Sequence, residues 1–288
     1  MSRILITGAT GNVGKEVIRN LLPSSKSYTV IAGVRDVEKE SSQLNISGIE
    51  YCLFDFEDSN TFRQAFKNCD VLFLLRPPHI SDVNRFFKPL VKAAKQYGVK
   101  HIVFLSVQGV EKSSIIPHNK IERLIVESAI SYTFLRPAYF MQNFTTTLRK
   151  DIVENKMIFL PAGTARFTVI DVGDIGAAAA TVLLHPLQHV NKSYELTNNE
   201  KLSFGEMAAK ISAITQKKIR YVSPNLFRFY FQKRKEKMPA TLIFVMMMLH
   251  YLPRFQKEPE VTEDIHRLTG KPPKAFDEFV EQNKSLFM

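Results

Sequence analysis

Six short apolar runs, each separated from the next by a longer stretch, fill the first half of the chain. They read RILIT (3–7), YTVIAGV (28–34), IEYCLFD (49–55), DVLFLL (70–75), KHIVFLS (100–106) and SYTFLRP (131–137). A strand with one wet face alternates polar and apolar residues, and most of these do not. Near-continuous Val, Ile, Leu and Phe predict strands buried on both faces, hence a parallel sheet with a helical layer on each side. Amphipathic patterns near 12–22, 59–67, 82–97 and 118–129 supply the crossovers. The predicted fold class is α/β, a Rossmann-type doubly wound parallel sheet.

After residue 145 the rhythm changes. VGDIGAAAATVLLHP (172–186) reads as an Ala-rich helix able to pack closely on the sheet, SYELT (193–197) as a further strand, and SFGEMAAKISAIT (203–215) as a capped helix. The remainder is predicted mainly helical, broken at Pro224, Pro239, Pro253 and Pro259. The expected division is a nucleotide-binding domain over 1–145, with 168–198 packing back onto it, and a smaller, mostly helical substrate lobe over 146–288.

Composition excludes several classes. At 45% hydrophobic and 23% charged residues, the chain is an ordinary globular sequence with enough length for a substantial core. The leading MSRILITGA breaks at Gly8, too soon for the apolar region of a secretory signal. Cys52 and Cys69 are the only cysteines, a pattern of a reduced cytoplasmic protein rather than of a disulfide framework or a metal site. The most apolar segment, PATLIFVMMMLHYLP (239–253), would make a helix of about 20 Å against ~30 Å of bilayer hydrocarbon, so no membrane span is expected. It reads either as a core helix or as the greasy wall of a substrate pocket, since Met fills irregular gaps. Much of the net charge of +11 is concentrated over 217–237. That stretch reads as a solvated helix face or as a patch for an anionic partner; no nucleic-acid-binding motif accompanies it, so nucleic acid is not expected.

The chemistry enters at Gly8-Ala9-Thr10-Gly11-Asn12-Val13-Gly14, which follows the first strand and opens the first helix. A glycine-rich bend there lets the backbone approach a pyrophosphate, whose charge meets the helix's free N–H groups. The spacing is GxxGxxG rather than GxGxxG. At the end of the second strand, NAD-binding domains of this type place an acid for the ribose 2′-hydroxyl. Here Arg35 comes first, offering a charged fork suited to a 2′-phosphate, with Asp36 directly after it. NADP(H) is the predicted cofactor, and Asp36 keeps NADH open.

Together GATGNVG, VRD, FDFED (54–58), LRPP (75–78), FLSVQG (104–109), SYTFLRPAYFMQN (131–143) and DVGDIG (171–176) resemble the NmrA-like branch of the atypical short-chain dehydrogenase/reductases. The similarity runs over nearly the whole chain, to LTGKPPKAFDEF near its end. That branch includes NADPH-dependent quinone, azo-dye and triphenylmethane reductases, isoflavone-reductase-like enzymes, and non-catalytic NADP(H)-sensing regulators. The resemblance implies that Gly8, Thr10, Gly11, Asn12 and Val13 surround the pyrophosphate and that Arg35 holds the 2′-phosphate. It implies Asp55 and Phe56 at the adenine, Leu75, Arg76 and Pro77 along the ribose, and Ser106 and Val107 at the nicotinamide. Pro137, Tyr139 and Phe140 would close the cofactor's other end. Phe56 and Pro137 also suit plain packing, and Asp55 a turn cap.

Most short-chain dehydrogenases carry Tyr-x-x-x-Lys on the helix after the fifth strand. The corresponding stretch here, IPHNKIER (116–123), has no Tyr; His118-x-x-x-Glu122 stands in that frame, and Val107 follows Ser106 where a second Ser is common. The candidate catalytic residues are therefore His118 and, by its similarity to the lysine of isoflavone-reductase-like enzymes, Lys120. Each also reads as an ordinary residue of a helix start, and Glu122 reads as structural. Hydride transfer to a quinone or a cationic dye needs no dedicated protein acid, since the reduced product can take a proton from water. The expectation is a cytoplasmic NADPH-dependent reductase of small apolar or aromatic acceptors, with oligomers possible in principle. The competing expectation is an NADP(H)-sensing regulator acting through a protein partner.

Overall fold

The computed structural model describes residues 2–24 and 27–288; Met1, Ser25 and Lys26 lie outside it, and no candidate site residue is among them. In chain order the first elements are β1 (Ser2–Ile6), α1 (Asn12–Leu21), β2 (Tyr28–Val34), α2 (Val37–Leu44), β3 (Glu50–Leu53), α3 (Asn60–Phe66), β4 (Val71–Leu75), α4 (Val83–Gln96), β5 (His101–Leu105), α5 (Pro117–Glu127) and β6 (Ser131–Pro137). There follow β7 (Tyr139–Phe140), α6 (Arg149–Asn155), β8 (Met157–Phe159), β9 (Arg166–Ile170), α7 (Val172–Leu184), β10 (Lys192–Leu196), β11 (Lys201–Ser203) and α8 (Phe204–Thr215). The last are β12 (Arg220–Val222), α9 (Leu226–Lys235), α10 (Ala240–Tyr251), α11 (Asp264–Thr269) and α12 (Phe276–Gln282).

The chain divides into two compact units. The first comprises Met1–Pro137, Val172–Leu196 and Glu263–Pro272. Its seven-stranded sheet has the order β10-β6-β5-β4-β1-β2-β3, and every neighbouring pair is parallel. The order reverses direction at β1, the switch point at which such sheets bind ligands. Ile4, Leu5 and Ile6 of β1 and all of β5 are buried, as apolar strands covered on both faces must be. The aromatic core on one side joins Phe54, Phe62, Phe66, Phe87 and Phe104. On the other, α7 lies close against α1: a methyl group built on Gly176 would stand 2.7 Å from the backbone carbon of Glu16. That approach explains the small residues of α7.

The second unit comprises Ala138–Asp171, Thr197–Thr262 and Pro273–Met288. Beside its helices it holds a three-stranded sheet, β11-β9-β7, and a two-stranded one, β12-β8. These strands are two to five residues long, too short to announce themselves in a predominantly helical pattern. The helix read as capped over 203–215 opens with a capping box: the Ser203 hydroxyl accepts from the Glu206 N–H, and the Glu206 carboxylate accepts from the Ser203 N–H at 2.7 Å. In α10, Ile243, Met246 and His250 face the core of this unit, with Phe159, Phe204, Phe229 and Phe276 among its members. One face of the apolar segment is thus core, and the rest of it is surface.

Candidate functional site

The candidate cofactor residues of the first unit collect along one edge of the parallel sheet because each follows the C-terminal end of a strand. Gly8 to Val13 follow β1, Arg35 follows β2, Asp55 and Phe56 follow β3, and Leu75 to Pro77 close β4 and enter its loop. Ser106 and Val107 follow β5, and Pro137 ends β6. Tyr139 and Phe140 form β7 of the second unit.

The turn after β1 is shaped by its glycines. Gly8 has φ +64°, a left-handed backbone that an L side chain resists, and its added methyl would meet the Leu75 side chain at 3.1 Å. Gly14 fails more severely: a Cβ there would fall 2.2 Å from the Gly8 carbonyl oxygen, so α1 can approach the turn only with glycine. Helix α1 has Gly11 as its N-cap, with no side-chain cap bond and no acid in its first turn. Its N-terminal N–H groups are left without a side-chain partner among the described residues, and its positive end is open to an anion. Gly11 and Asn12 are exposed and Thr10 is half-buried, whereas the Val13 side chain goes into the core with Val17, Ile18 and Leu21. These residues fit a pyrophosphate.

A residue the sequence did not single out holds this turn in register. Thr7 is fully buried; its hydroxyl donates to the Phe73 carbonyl at 3.0 Å and accepts from the Leu75 N–H at 2.9 Å, tying the end of β1 to the end of β4. A Thr that ends an apolar strand beside a glycine bend was the available signal.

At the end of β2 two adjacent polar residues have different tasks. Asp36 is the N-cap of α2, its carboxylate accepting from the Lys39 N–H at 3.0 Å. Arg35 is exposed, and its guanidinium makes no hydrogen bond or ion pair among the described residues. Across the next loop Asp55 accepts from the Glu57 N–H at 2.9 Å, a turn cap, and Phe56 packs edge-on against Phe54 with centroids 5.0 Å apart. Both have the local roles open to them in the sequence.

Arg76 is held by the chain rather than extended from it. Its Nη1 donates to the carbonyls of Pro77, Pro78 and Ile80, at 3.0, 3.2 and 2.7 Å, and its Nε donates to His118 Nε2 at 3.3 Å. Burial, with the Arg76 charge adding to it, pushes His118 down to about 3. The imidazole is therefore neutral, with Nε2 as acceptor and the proton on Nδ1. Directly after β5, the Ser106 hydroxyl is buried without a hydrogen-bond partner among the described residues, an orphaned polar group of the kind a cofactor amide would satisfy. The loop beyond it is pinned to β6 by the Gln108 N–H, which donates to the Pro137 carbonyl at 3.0 Å.

IPHNKIER forms the start of α5, with Pro117 in its first turn. His118 turns to Arg76 and lies over Phe104, centroids 6.1 Å apart. Asn119 donates to the Val110 carbonyl at 3.1 Å. Glu122 forms a two-bond ion pair with Arg136, at 3.0 and 2.7 Å. Lys120 is exposed, and its ammonium makes no hydrogen bond or ion pair among the described residues. The structure thus joins His118 to Arg76 and does not bring Lys120 to the same place. Glu111 and Glu195 also reach Arg136, and burial raises Glu195 to about 7.

In the second unit Tyr139 donates its hydroxyl to His250 Nε2 at 3.2 Å, while His250 Nδ1 donates to the Met246 carbonyl at 2.6 Å. Desolvation raises the Tyr139 phenol and lowers His250 to about 4. His250 was invisible in the sequence, one imidazole in an apolar helix. The two thiols are inert by comparison: burial lifts Cys52 to about 11 and Cys69 to about 12.

Residues 1–279 match the sequence profile of the NmrA-like family. An NAD(P)H azoreductase of Xenophilus azovorans is 30% identical over 99% of each chain. Quinone oxidoreductase 2 of Escherichia coli is 27% identical over 76% of each. A crystal structure of the triphenylmethane reductase of Citrobacter sp., complexed with NADP(H), superposes with a TM-score of 0.84 at 27% identity, over 98% of this chain and 99% of that one.

Proposed function

The chain belongs to the NmrA-like family, and from that premise we propose an NAD(P)H-dependent reductase that prefers NADPH and transfers hydride to small, apolar, conjugated acceptors. Quinones are the first class, with azo and triphenylmethane dyes beside them, in line with the acceptors for which its relatives are named. The observation that carries the cofactor preference is the pairing at the end of β2. Asp36 is engaged as a helix cap, whereas Arg35 stands free beside it, so a 2′-phosphate meets a charge partner and a 2′-hydroxyl meets an occupied acid.

In this reading Gly8, Thr10, Gly11, Asn12 and Val13 form the pyrophosphate turn, and Asp55, Phe56, Leu75 and Pro77 border the adenosine half. Ser106 offers a hydroxyl unpaired among the described residues, with Val107, to the nicotinamide amide, and Pro137 borders the same sheet edge. Bound there, NADPH would supply the hydride. Arg76 would present positive charge along this edge, and His118 would keep its guanidinium in place. A neutral His118 whose Nε2 already accepts a bond cannot donate a proton from that atom. This supports acceptors whose reduced form takes its proton from water. The second unit is the part we assign to the acceptor, and two free thiols, Cys69 buried and Cys52 half-buried, agree with a reduced, cytoplasmic setting.

The same locked imidazole, with Lys120 exposed, also supports a sensor that binds NADP(H) and acts through a partner protein. NADPH oxidation measured against a panel of quinones and dyes separates the two. Acceptor-dependent turnover above the uncatalysed rate supports the reductase; tight NADPH binding with no turnover on any acceptor would leave the sensor.

A further inference from the structure

The surface of the second unit carries an exposed apolar face to which the proposed function assigns no residue by name. Over residues 241–252, α10 and the turn after it show solvent an arc of roughly 160°, at about 100° per residue, that contains Leu242, Phe244, Val245, Met248, Leu249 and Leu252. Thr241 is its one polar member. The opposite side of the helix holds Ile243, Met246 and His250 in the core. Phe244, Met248 and Leu249 are each more than half exposed. Helix α9 extends the patch with Phe227 and Phe231, 79% and 61% exposed, one turn apart on its outer face. Tyr230 joins the two helices, its ring 5.6 Å from that of Phe231 and 5.6 Å from that of Phe244.

A solvent-facing apolar surface of this kind is uncommon on a protein that stays in water. Its setting is electrically one-sided. Between residues 207 and 257 the chain has eleven Lys and Arg and a single acid, Glu236. That acid is engaged by Lys233 at 2.8 Å. Arg234 falls on the same face of α9 as Phe227 and Phe231, with Arg228 and Lys235 beside it, all exposed. At twelve residues α10 is too short to cross a bilayer, and no helix of the described residues is long and apolar enough to do so.

We propose that this face docks on an anionic phospholipid surface, with the α9 and α10 side chains at the acyl boundary and the neighbouring Arg and Lys among the headgroup phosphates. Charge complementarity decides between occupants. A second copy seated on the same patch would bring one basic rim against another. A nucleic acid would match the charge but has no apolar counterpart for the α10 arc. An anionic bilayer answers both halves, as it does for in-plane amphipathic helices with Lys and Arg beside Phe and Leu.

The test is flotation of the full chain with vesicles of phosphatidylcholine, with and without phosphatidylglycerol, in the absence of cofactor and acceptor. Its outcome is therefore independent of the reductase assay. The proposal expects binding to the anionic vesicles at least about tenfold stronger than to the neutral ones, weakening as salt screens the charge. Val245→Glu with Met248→Glu should lower it more than about tenfold, and Arg234→Gln with Lys235→Gln should remove most of the anionic preference. An unchanged melting temperature shows each variant folded; should the α10 pair fail to fold, Phe227→Ser on α9 must lower binding in the same direction. Absence of binding, or equal binding to both vesicle types, overturns the proposal. So does a lipid-free dimer in sedimentation velocity that Met248→Glu converts to monomer, since a second copy then covers the face.

Discussion

Arg76 Nε donates to His118 Nε2 across 3.3 Å, and that one bond fixes the tautomer of the only imidazole near the sheet edge on α5. Desolvation, with the Arg76 charge second, lowers His118 to about 3, and a neutral imidazole is the form that can accept from the guanidinium. We propose a positioning role for it: it holds a guanidinium whose other contacts are three carbonyls of the β4–α4 loop.

His118→Ala should lower turnover about three- to tenfold, the effect of losing one ordinary hydrogen bond of about 0.7–1.4 kcal/mol, with little change in NADPH affinity. His118→Gln, whose amide oxygen can accept from Arg76 Nε, should recover most of the loss. The wild-type rate should show no inflection belonging to His118 between pH 5 and 9. An inflection near neutrality that His118→Gln abolishes would restore the imidazole as an acid.

Acidification should unfold the protein through its buried imidazoles. Burial lowers His101 to about 4, His118 to about 3 and His250 to about 4. Below the unfolded value near 6.5 the unfolded chain therefore takes up three protons that the native chain refuses. Glu195 acts in the opposite sense. Burial raises it to about 7, so the native chain gains its proton first and is favoured as pH falls toward the unfolded value near 4.5. His189, which burial also lowers, acts in the same sense as the other imidazoles. The net is at least two protons, each worth at most about 1.4 kcal/mol per pH unit, lost between pH 6.5 and 4.5. Urea denaturation across that range should show the fall, and Glu195→Gln should steepen it. A flat profile would mean that the imidazoles are not shielded from water.

The parallel sheet was legible because strands buried on both faces need a helical layer on each side, and YTVIAGV coincides with β2 residue for residue. Helix α2 was not predicted. VEKESSQL buries no side chain, so it has no apolar stripe, and its one signal was Asp36 in the capping position. The lobe strands are set by pairing with distant partners, as Arg166 to Thr168 pair with Ser203 to Lys201, and no local pattern encodes that. At the site, strand ends gave the positions of Gly8, Arg35 and Ser106. The Arg76–His118 bond links residues 42 apart, and the Tyr139–His250 bond residues 111 apart. Contacts at such separation arise from the fold and leave no mark on spacing.

Lys233 should prove costly to remove. Its ammonium is buried with Asp151 at 2.5 Å and Glu236 at 2.8 Å, beneath the Phe159 ring. Lys233→Met strands the buried Asp151 carboxylate and should destabilise the protein by about 3–5 kcal/mol. Asp151→Leu in the Lys233→Met background should return most of it, because the uncompensated charge is then gone. Equilibrium urea unfolding of the single and double variants checks this; a double variant no more stable than Lys233→Met would locate the cost in packing.

Arg35 should make the protein prefer NADPH. The 2′-phosphate carries a charge that NADH lacks, and the exposed guanidinium after β2 has no competing partner among the described residues. A charge-assisted, two-bond contact contributes about 1.5–3 kcal/mol, roughly ten- to a hundredfold in affinity. The net charge of +11 adds a weaker attraction that salt removes. Arg35→Asp deletes the contact, repels the phosphate and offers NADH an acceptor for its 2′-hydroxyl, so the preference should reverse. Asp36→Ala separates the alternatives. If Asp36 only caps α2, its loss should cost about 1 kcal/mol of stability and leave the cofactor ratio unchanged. If it binds the ribose, NADH affinity alone should drop. Titration of both cofactors into the three proteins reads the outcome; equal wild-type affinities, or an Arg35→Asp ratio unchanged from wild type, would show that Arg35 does not read the phosphate.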